Sequence, residues 1–198
     1  RPLILLYRAA LLPNPRRTVD IWRDVARRSG AGELYLATVE SFEQAIDMDD
    51  PALLGFDASV EFPPHHTGYP IAPPGPVLNP RFNGRVHDYR QVVLRYLARE
   101  PPGHTRFRTV MTGWDNTPRR QDDPEVFAHA SPGAYRAWLE AIVRQTLRQN
   151  AGEERIVFVN AWNEWAEGAY LEPDTRRGHA YLEATRDALE LGPRLAVV

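Results

Sequence analysis

Short strand-like runs alternate with amphipathic stretches along this chain. Continuous apolar runs are typical of strands buried on both faces. Two runs that mix apolar and polar residues indicate further strands, and Pro63 and Pro64 stop one of them. The predicted strands are Leu3–Tyr7, Leu34–Thr38, Ala58–Phe62, Arg106–Met111 and Ile156–Val159.

Apolar residues at helical spacing mark four more segments. The predicted helices are Thr18–Arg28, Asp88–Arg99, Ser131–Arg148 and Gly178–Leu191. Thr18 is the predicted N-cap of the first helix, Gly30 and Gly32 end it, and Pro132 fits the first turn of the third. Residues 63–86 are rich in Pro, Gly and Asn, which predicts an ordered functional loop or a disordered linker.

The order of these elements predicts an α/β fold with parallel strands, either an open doubly wound sheet or a (β/α)8 barrel. Polar residues at the strand ends favour the barrel, because barrels build their sites where the strands end. These residues are Tyr7, Arg8, Glu40, Glu61, Asp115 and Glu164. No Gly-rich phosphate loop follows any strand, which argues against the open sheet.

Five β/α units are too few to close a barrel of eight. We therefore expect residues 1–198 to form a single domain, the C-terminal portion of a barrel whose first three units lie upstream. The chain opens at Arg1 and runs at once into a strand, so a natural N-terminus is expected to be missing. No signal peptide pattern is visible, and a cytoplasmic location is the expectation.

Composition and charge narrow the class of partner. A net charge of −2 and a pI near 6.3 disfavour nucleic acid and anionic membranes, and no apolar run is long enough to span a bilayer. The absence of cysteine excludes disulfides and a thiolate nucleophile. His65-His66 is interpreted as a surface loop and Asp47-Met48-Asp49 as a turn, so no metal or cofactor is predicted.

The densest group of chemically useful side chains lies in residues 160–168, which read NAWNEWAEG. A helical or turn-like step would bring Glu164 and Glu167 to one face. Two carboxyl groups about 5 to 5.5 Å apart suit a retaining glycosidase, and their mutual repulsion lets one of them keep a proton. Trp162 and Trp165 offer flat faces for sugar rings, and Asn163 could bind a hydroxyl. The alternative is a solvated helix face with core tryptophans.

Other strand-end residues are candidates for contacts with the substrate. Glu40, Glu61, Asp115 and Trp114, with Tyr7 and Arg8, are predicted to line the site. Each carboxylate could instead cap a helix or pair with an arginine.

The run Phe158–Asp174 resembles the signature of the WbsX-type family, whose members are described as glycosyltransferase WbsX-like or glycoside hydrolase family 99-like domains. Further matches are Tyr7-Arg8 with Leu12-Pro13, Gly32–Tyr35, Gly55–Asp57 with Glu61–Pro64, and Gly113–Arg119. The resemblance implies a (β/α)8 barrel of which this is the C-terminal part.

Family 99 contains retaining endo-acting α-mannosidases and mannanases that work without a metal. The resemblance to their Glu-Trp-His-Glu motif implies that Glu164 acts as a base on the 2-hydroxyl of the sugar, giving a 1,2-anhydro intermediate. Glu167 would then act as acid and afterwards as base on the leaving oxygen and water. Ala166 stands where those hydrolases have histidine.

The resulting hypothesis is a retaining glycoside hydrolase or transglycosidase that acts on bacterial surface polysaccharide. WbsX-like members are similar to proteins encoded with O-antigen machinery, which favours a glycosyltransferase as the first alternative. A non-catalytic carbohydrate-binding module is the second.

Overall fold

The computed structural model describes residues 1–41, 50–65 and 68–190, and the backbone of 196–197. The helices are α1 (Pro15–Arg28), α2 (Tyr89–Leu97), α3 (Pro132–Gln149) and α4 (Ala180–Leu189). The strands are β1 (Leu3–Leu6), β2 (Tyr35–Val39), β3 (Ala58–Val60), β4 (Arg85–Asp88), β5 (Thr105–Met111), β6 (Glu125–Ala128), β7 (Ile156–Asn160), β8 (Asn163–Glu164), β9 (Ala169–Tyr170) and β10 (Ala196–Val197).

The chain divides into two compact units. The first contains Arg1–His65 and Glu100–Arg108, and the second contains His66–Arg99 and Thr109–Val198, so β5 begins in one unit and ends in the other. Among the described residues no helix is both long and apolar enough to cross a membrane.

Parallel strands form the centre of the first unit. β1 pairs with β2, β2 with β3, and β3 with the start of β5, all in parallel. β2 and β3 are buried along their full length, as expected of parallel strands covered on both faces. This pairing confirms the predicted α/β class. Because the strands are parallel, their carboxyl ends lie at one edge, where Tyr7, Glu40 and Glu61 follow β1, β2 and β3.

Helix α1 starts earlier than the sequence pattern predicts. Asn14 is its N-cap and accepts a hydrogen bond from the Arg17 N–H, and Pro15 takes the first helical position. The prediction of Thr18 as N-cap is wrong, because Asn14 and Pro15 already supply the cap and the fixed φ. Val19 and Ala26 of α1 pack with Leu36 in the core of this unit.

The second unit is organised around α3. Ser131 caps this helix and Pro132 opens it, as predicted. Trp138, wholly buried, packs against Tyr89 and Tyr96 of α2 with ring centroids 5.8 and 5.6 Å apart. Tyr135 lies edge-on to Tyr181 of α4 at 5.5 Å, so aromatic residues join the three helices.

Two small strand pairs of the second unit were not predicted. β4, at the end of the predicted loop 63–86, pairs in parallel with β6. β8 and β9 form an antiparallel hairpin. β10 pairs in parallel with β7. The predicted regular strand-then-helix order is therefore wrong in detail, because β4 follows β3 with no intervening helix among the described residues.

Candidate functional site

The Glu-x-x-Glu segment lies in the turn of the β8–β9 hairpin. Asn163 pairs with Tyr170 and Glu164 with Ala169, and Trp165–Glu167 between the two strands forms one turn of 3₁₀ helix. This confirms the turn-like step on which the prediction of neighbouring glutamates depended. The hairpin follows β7 directly, after a cis peptide bond between Asn160 and Ala161.

Gly168 ends this turn, with φ of 63° in the left-handed region that glycine tolerates. A Cβ at this position would lie 3.0 Å from the backbone nitrogen of Asp115. The Asp115 N–H donates a hydrogen bond to the Glu167 carbonyl oxygen at 2.7 Å. The loop after β5, which carries Trp114 and Asp115, therefore packs directly against the turn that carries Glu167.

The two glutamates have different surroundings. The Glu164 side chain is exposed, whereas only 14% of the Glu167 side chain is exposed and its Oε1 accepts a hydrogen bond from the Arg119 guanidinium. Burial raises the pKa of Glu167, the negative charge of Glu164 raises it further, and the charge and hydrogen bond of Arg119 lower it. The net shift is upward, as required of a carboxyl group that has to hold a proton.

Both tryptophans of the motif lie at the surface. Trp162 is 56% exposed and Trp165 is 46% exposed, so the alternative of two core tryptophans is wrong. The Trp165 ring stacks on Tyr170 with centroids 3.8 Å apart and planes inclined by 16°, and its Nε1–H donates to Glu172 at 2.7 Å. Asn163 is exposed beside them. These contacts fix the orientation of one aromatic face that remains open to solvent.

A cavity of about 610 Å³ lies beside the turn, within the second unit. Trp165 and Gly168, two positions before and one position after Glu167, line it together with Trp114 and Asp115 from the loop after β5. Trp114 is only 7% exposed, and so forms wall rather than rim. A cavity of this size can hold a sugar unit of an oligosaccharide.

The predicted site residues of the first unit lie at the carboxyl edge of its sheet. Glu61 is completely buried and forms ion pairs with Arg108 at 2.8 Å and Arg106 at 3.6 Å. Pairing with an arginine was the alternative to substrate binding that the sequence left open for this residue. Glu40 is 2% exposed and accepts a hydrogen bond from the Ser59 hydroxyl at 3.1 Å. Their contact with substrate stays a prediction.

Tyr7 and Arg8 also belong to the first unit. Tyr7 is 44% exposed and lies edge-on to Phe62 at 5.2 Å, and Arg8 is exposed beside it. A role for them in binding sugar likewise stays a prediction.

His65-His66 and Asp47-Met48-Asp49 were predicted to lie outside the site, in a surface loop and a turn. His65 is 3% exposed and packs edge-on against Phe62 at 5.0 Å, so the prediction of a surface loop is wrong for this residue. His66 and Asp47-Met48-Asp49 lie outside the described residues. Among the described residues no three His, Asp or Glu side chains lie together where they could hold a metal ion.

Sequence reasoning missed the partners of the motif residues. Arg119 is 48 positions from Glu167, and Tyr170 and Glu172 were not among the predicted site residues. Arg119 does end one of the runs that carry the family resemblance, Gly113–Arg119, but nothing in its spacing indicates that its side chain reaches Glu167.

The chain is similar to known proteins both in sequence and in fold. Two relatives, each described as "Uncharacterized protein WxcX" from Xanthomonas campestris pv. campestris (strains B100 and ATCC 33913), are 45% identical over 197 residues. The chain spans 28% of the length of these relatives. A solved structure described as "Glycoside hydrolase-like protein" matches 95% of this chain and 54% of its own, with a TM-score of 0.58 and 14% identity.

That structural likeness concerns the fold alone. The family described as "Glycosyltransferase WbsX" matches residues 1–185 of the 198, and its description agrees with the resemblance of the Trp-Asn-Glu-Trp-Ala-Glu-Gly segment. The chain therefore belongs to the glycosyltransferase WbsX family.

Proposed function

We propose that this chain carries the site of a carbohydrate-active enzyme, a retaining glycoside hydrolase or transglycosidase that acts on bacterial surface polysaccharide. One observation carries the proposal. Glu167 is a largely buried carboxyl group with a raised pKa, close to Glu164 and in the same short segment as the exposed rings of Trp162 and Trp165. A general acid close to a second carboxyl group and to exposed aromatic rings is the arrangement that glycosidic bond cleavage requires.

The first step divides the work between the two glutamates. Glu164, which is exposed, takes the proton of the 2-hydroxyl of the sugar, and that oxygen attacks the anomeric carbon. Glu167 gives its proton to the leaving oxygen as the glycosidic bond breaks. The products of this step are the released aglycone and a 1,2-anhydro sugar, with Glu164 protonated and Glu167 ionised.

The second step reverses the proton transfers. Glu167 takes a proton from water, or from a sugar hydroxyl in transglycosylation, while the oxygen of that group attacks the anomeric carbon. Glu164 returns its proton to O2 as the three-membered ring opens. Two inversions at the anomeric carbon give overall retention, and both glutamates regain their starting states.

The residue between the catalytic pair limits the substrate assignment. Ala166 is exposed in the turn between Trp165 and Glu167, and carries no group that could hydrogen-bond a sugar hydroxyl. Specificity for mannosides is therefore not part of this proposal.

We propose in addition that the parallel strands are part of a (β/α)8 barrel. Support comes from the parallel pairing, from the polar residues that follow β1, β2, β3 and β7, and from the fold likeness to a glycoside hydrolase-like protein.

A glycosyltransferase is the second candidate, favoured by the description of the family itself. The same carboxylates would then act on an activated sugar donor. A requirement for a nucleotide sugar distinguishes this candidate from the hydrolase.

The test compares Glu164→Gln and Glu167→Gln with Glu183→Gln, an exposed glutamate on α4. With a glycan that the wild type processes, proton NMR should show a first-formed product of the same anomeric configuration as the substrate. Both site variants should still bind the glycan but lose turnover, and the control should keep both. An inverted product contradicts the retaining mechanism, and binding without turnover by the wild type indicates a carbohydrate-binding module.

A further inference from the structure

The cavity lined by Trp165 and Gly168 has a basic side. Arg176, Arg177 and His129 line it, whereas Asp115 is the one carboxylate among the described residues of its wall. The Asp115 carboxylate already accepts hydrogen bonds from the N–H and the hydroxyl of Thr117. The two arginines therefore outnumber the one carboxylate of the described wall, although the chain as a whole has a net charge of −2.

The arginines are held in place by the backbone of a tight turn. Asp174 accepts hydrogen bonds from the N–H groups of Arg176, at 2.8 Å, and Arg177, and its own N–H and carbonyl pair with Gly178. The Tyr170 hydroxyl donates to Asp174 at 3.0 Å. Because Tyr170 stacks on Trp165, the turn is tied to the hairpin that carries Glu167.

The two guanidinium groups differ in what they already bind. Arg177 donates to the carbonyl oxygen of Ala130 at 3.3 Å and lies 5.5 Å from the ring centroid of Tyr181, so its position is fixed. The Asp174 carboxylate interacts electrostatically with the Arg177 guanidinium and so partly neutralises its positive charge. The Arg176 guanidinium, by contrast, is exposed and forms no hydrogen bond or ion pair within the described ranges. It is available to a ligand.

His129 adds a third feature to this side of the cavity. It is exposed and has φ of 67°, a left-handed conformation that is uncommon outside glycine, although histidine adopts it more often than most residues. Backbone strain of this kind is concentrated at ligand sites, where the fold holds a side chain in a required position.

We propose that this cavity binds an acidic sugar unit, a hexuronate, of the polysaccharide that the Glu164–Glu167 pair acts on. The ring face of the sugar packs beside Trp165, and its carboxylate meets Arg176, whose planar guanidinium can bind both carboxylate oxygens. The inference rests on the proposed function, because it assigns the charge of the substrate next to the reacting bond.

The test measures binding by isothermal titration calorimetry at low salt. The two probes are a glucuronate-containing trisaccharide and the same trisaccharide with its carboxyl group reduced to the alcohol. The full chain should bind the acidic probe roughly fivefold tighter than the neutral one, the size of one partly exposed ion pair. Arg176→Gln should abolish this preference, and Arg176→Lys should retain part of it. Arg144→Gln, an exposed arginine of α3 outside the cavity, should leave it unchanged.

Equal binding of the two probes, or no binding of the acidic one, overturns the proposal. A preference that survives Arg176→Gln also overturns it, since the charge would then be recognised elsewhere. UDP distinguishes the other source of an anion: Arg176-dependent binding of UDP without a preference for the acidic trisaccharide makes the site a diphosphate site and refutes the hexuronate.

The failure of the catalytic proposal has a different signature. Glu167→Gln should keep the preference for the acidic probe, because the substitution leaves Arg176 in place. If no glycan is turned over while the preference depends on Arg176, the subsite stands and the proposed reaction fails.

Discussion

The Arg119 guanidinium hydrogen-bonds the Glu167 carboxylate, across 48 positions of the chain. This contact lowers the pKa of Glu167, whereas burial and the charge of Glu164 raise it, with burial the larger of the two. Arg119 thus limits how strongly the proposed acid holds its proton.

Arg119→Gln should therefore raise the pKa of Glu167 further. A general acid is active while protonated, so the alkaline limb of the kcat/KM profile should move to higher pH. The measurement is a pH–rate profile of the wild type and the variant. Arg120→Gln is the matched control, because Arg120 pairs with Asp123 and not with Glu167. An alkaline limb that stays in place or moves to lower pH contradicts the assignment of Glu167 as acid.

Trp165→Ala should weaken glycan binding by roughly tenfold, because it removes an exposed ring that is held by stacking on Tyr170. Trp165→Phe keeps an aromatic face but loses the hydrogen bond to Glu172, and should lose less affinity. Calorimetry with a glycan that the wild type binds gives both numbers. Unchanged affinity in the alanine variant would show that sugar packs elsewhere.

Gly168→Ala should destabilise the fold by about 1 to 3 kcal/mol. The new Cβ would occupy a left-handed position 3.0 Å from the Asp115 nitrogen, and would push the two loops apart. Gly133→Ala is the control, since Gly133 is helical and open space surrounds its Cβ position; it should be neutral or stabilising by up to about 1 kcal/mol. Urea unfolding measures the change in the free energy of unfolding for both variants. Equal changes would refute the close approach of Gly168 to Asp115.

The local pattern of apolar residues was sufficient to predict some of the strands and not others. The strands β2 and β7 were predicted within one residue at each end, because each contains a continuous apolar run. β4 has one apolar residue, Val86, between charged ends, and forms because β6 pairs with it. A strand that depends on a distant partner leaves no periodic signal of its own.

Some features of the candidate site could likewise be anticipated from local sequence, and others could not. A helical or turn-like step between Glu164 and Glu167 was considered from the sequence, and the structure has one turn of 3₁₀ helix at Trp165–Glu167. The contacts of Glu167 with Arg119, and of Glu61 with Arg106 and Arg108, join residues 45 to 48 positions apart. Such pairs depend on where strands and loops meet, and local spacing carries no information about them.

Glu61→Gln should destabilise the first unit by roughly 3 to 5 kcal/mol, because Arg106 and Arg108 would stay buried without their carboxylate. Asp24→Asn breaks an exposed pair with Arg28 on α1 and should cost less than about 0.5 kcal/mol. Chemical denaturation followed by circular dichroism compares the two. A loss for Glu61→Gln as small as that of the control would mean that the arginines find other partners.

Cleavage of a glycan by the paired glutamates should need no activated donor. A mass-spectrometric product assay tests this with the wild type and Glu167→Gln, incubated with a panel of bacterial surface glycans in the absence of nucleotide sugar. The wild type should shorten at least one glycan, and the variant should leave the same glycan intact. Products that form only after a nucleotide sugar is added would contradict it, and would make the protein a transferase.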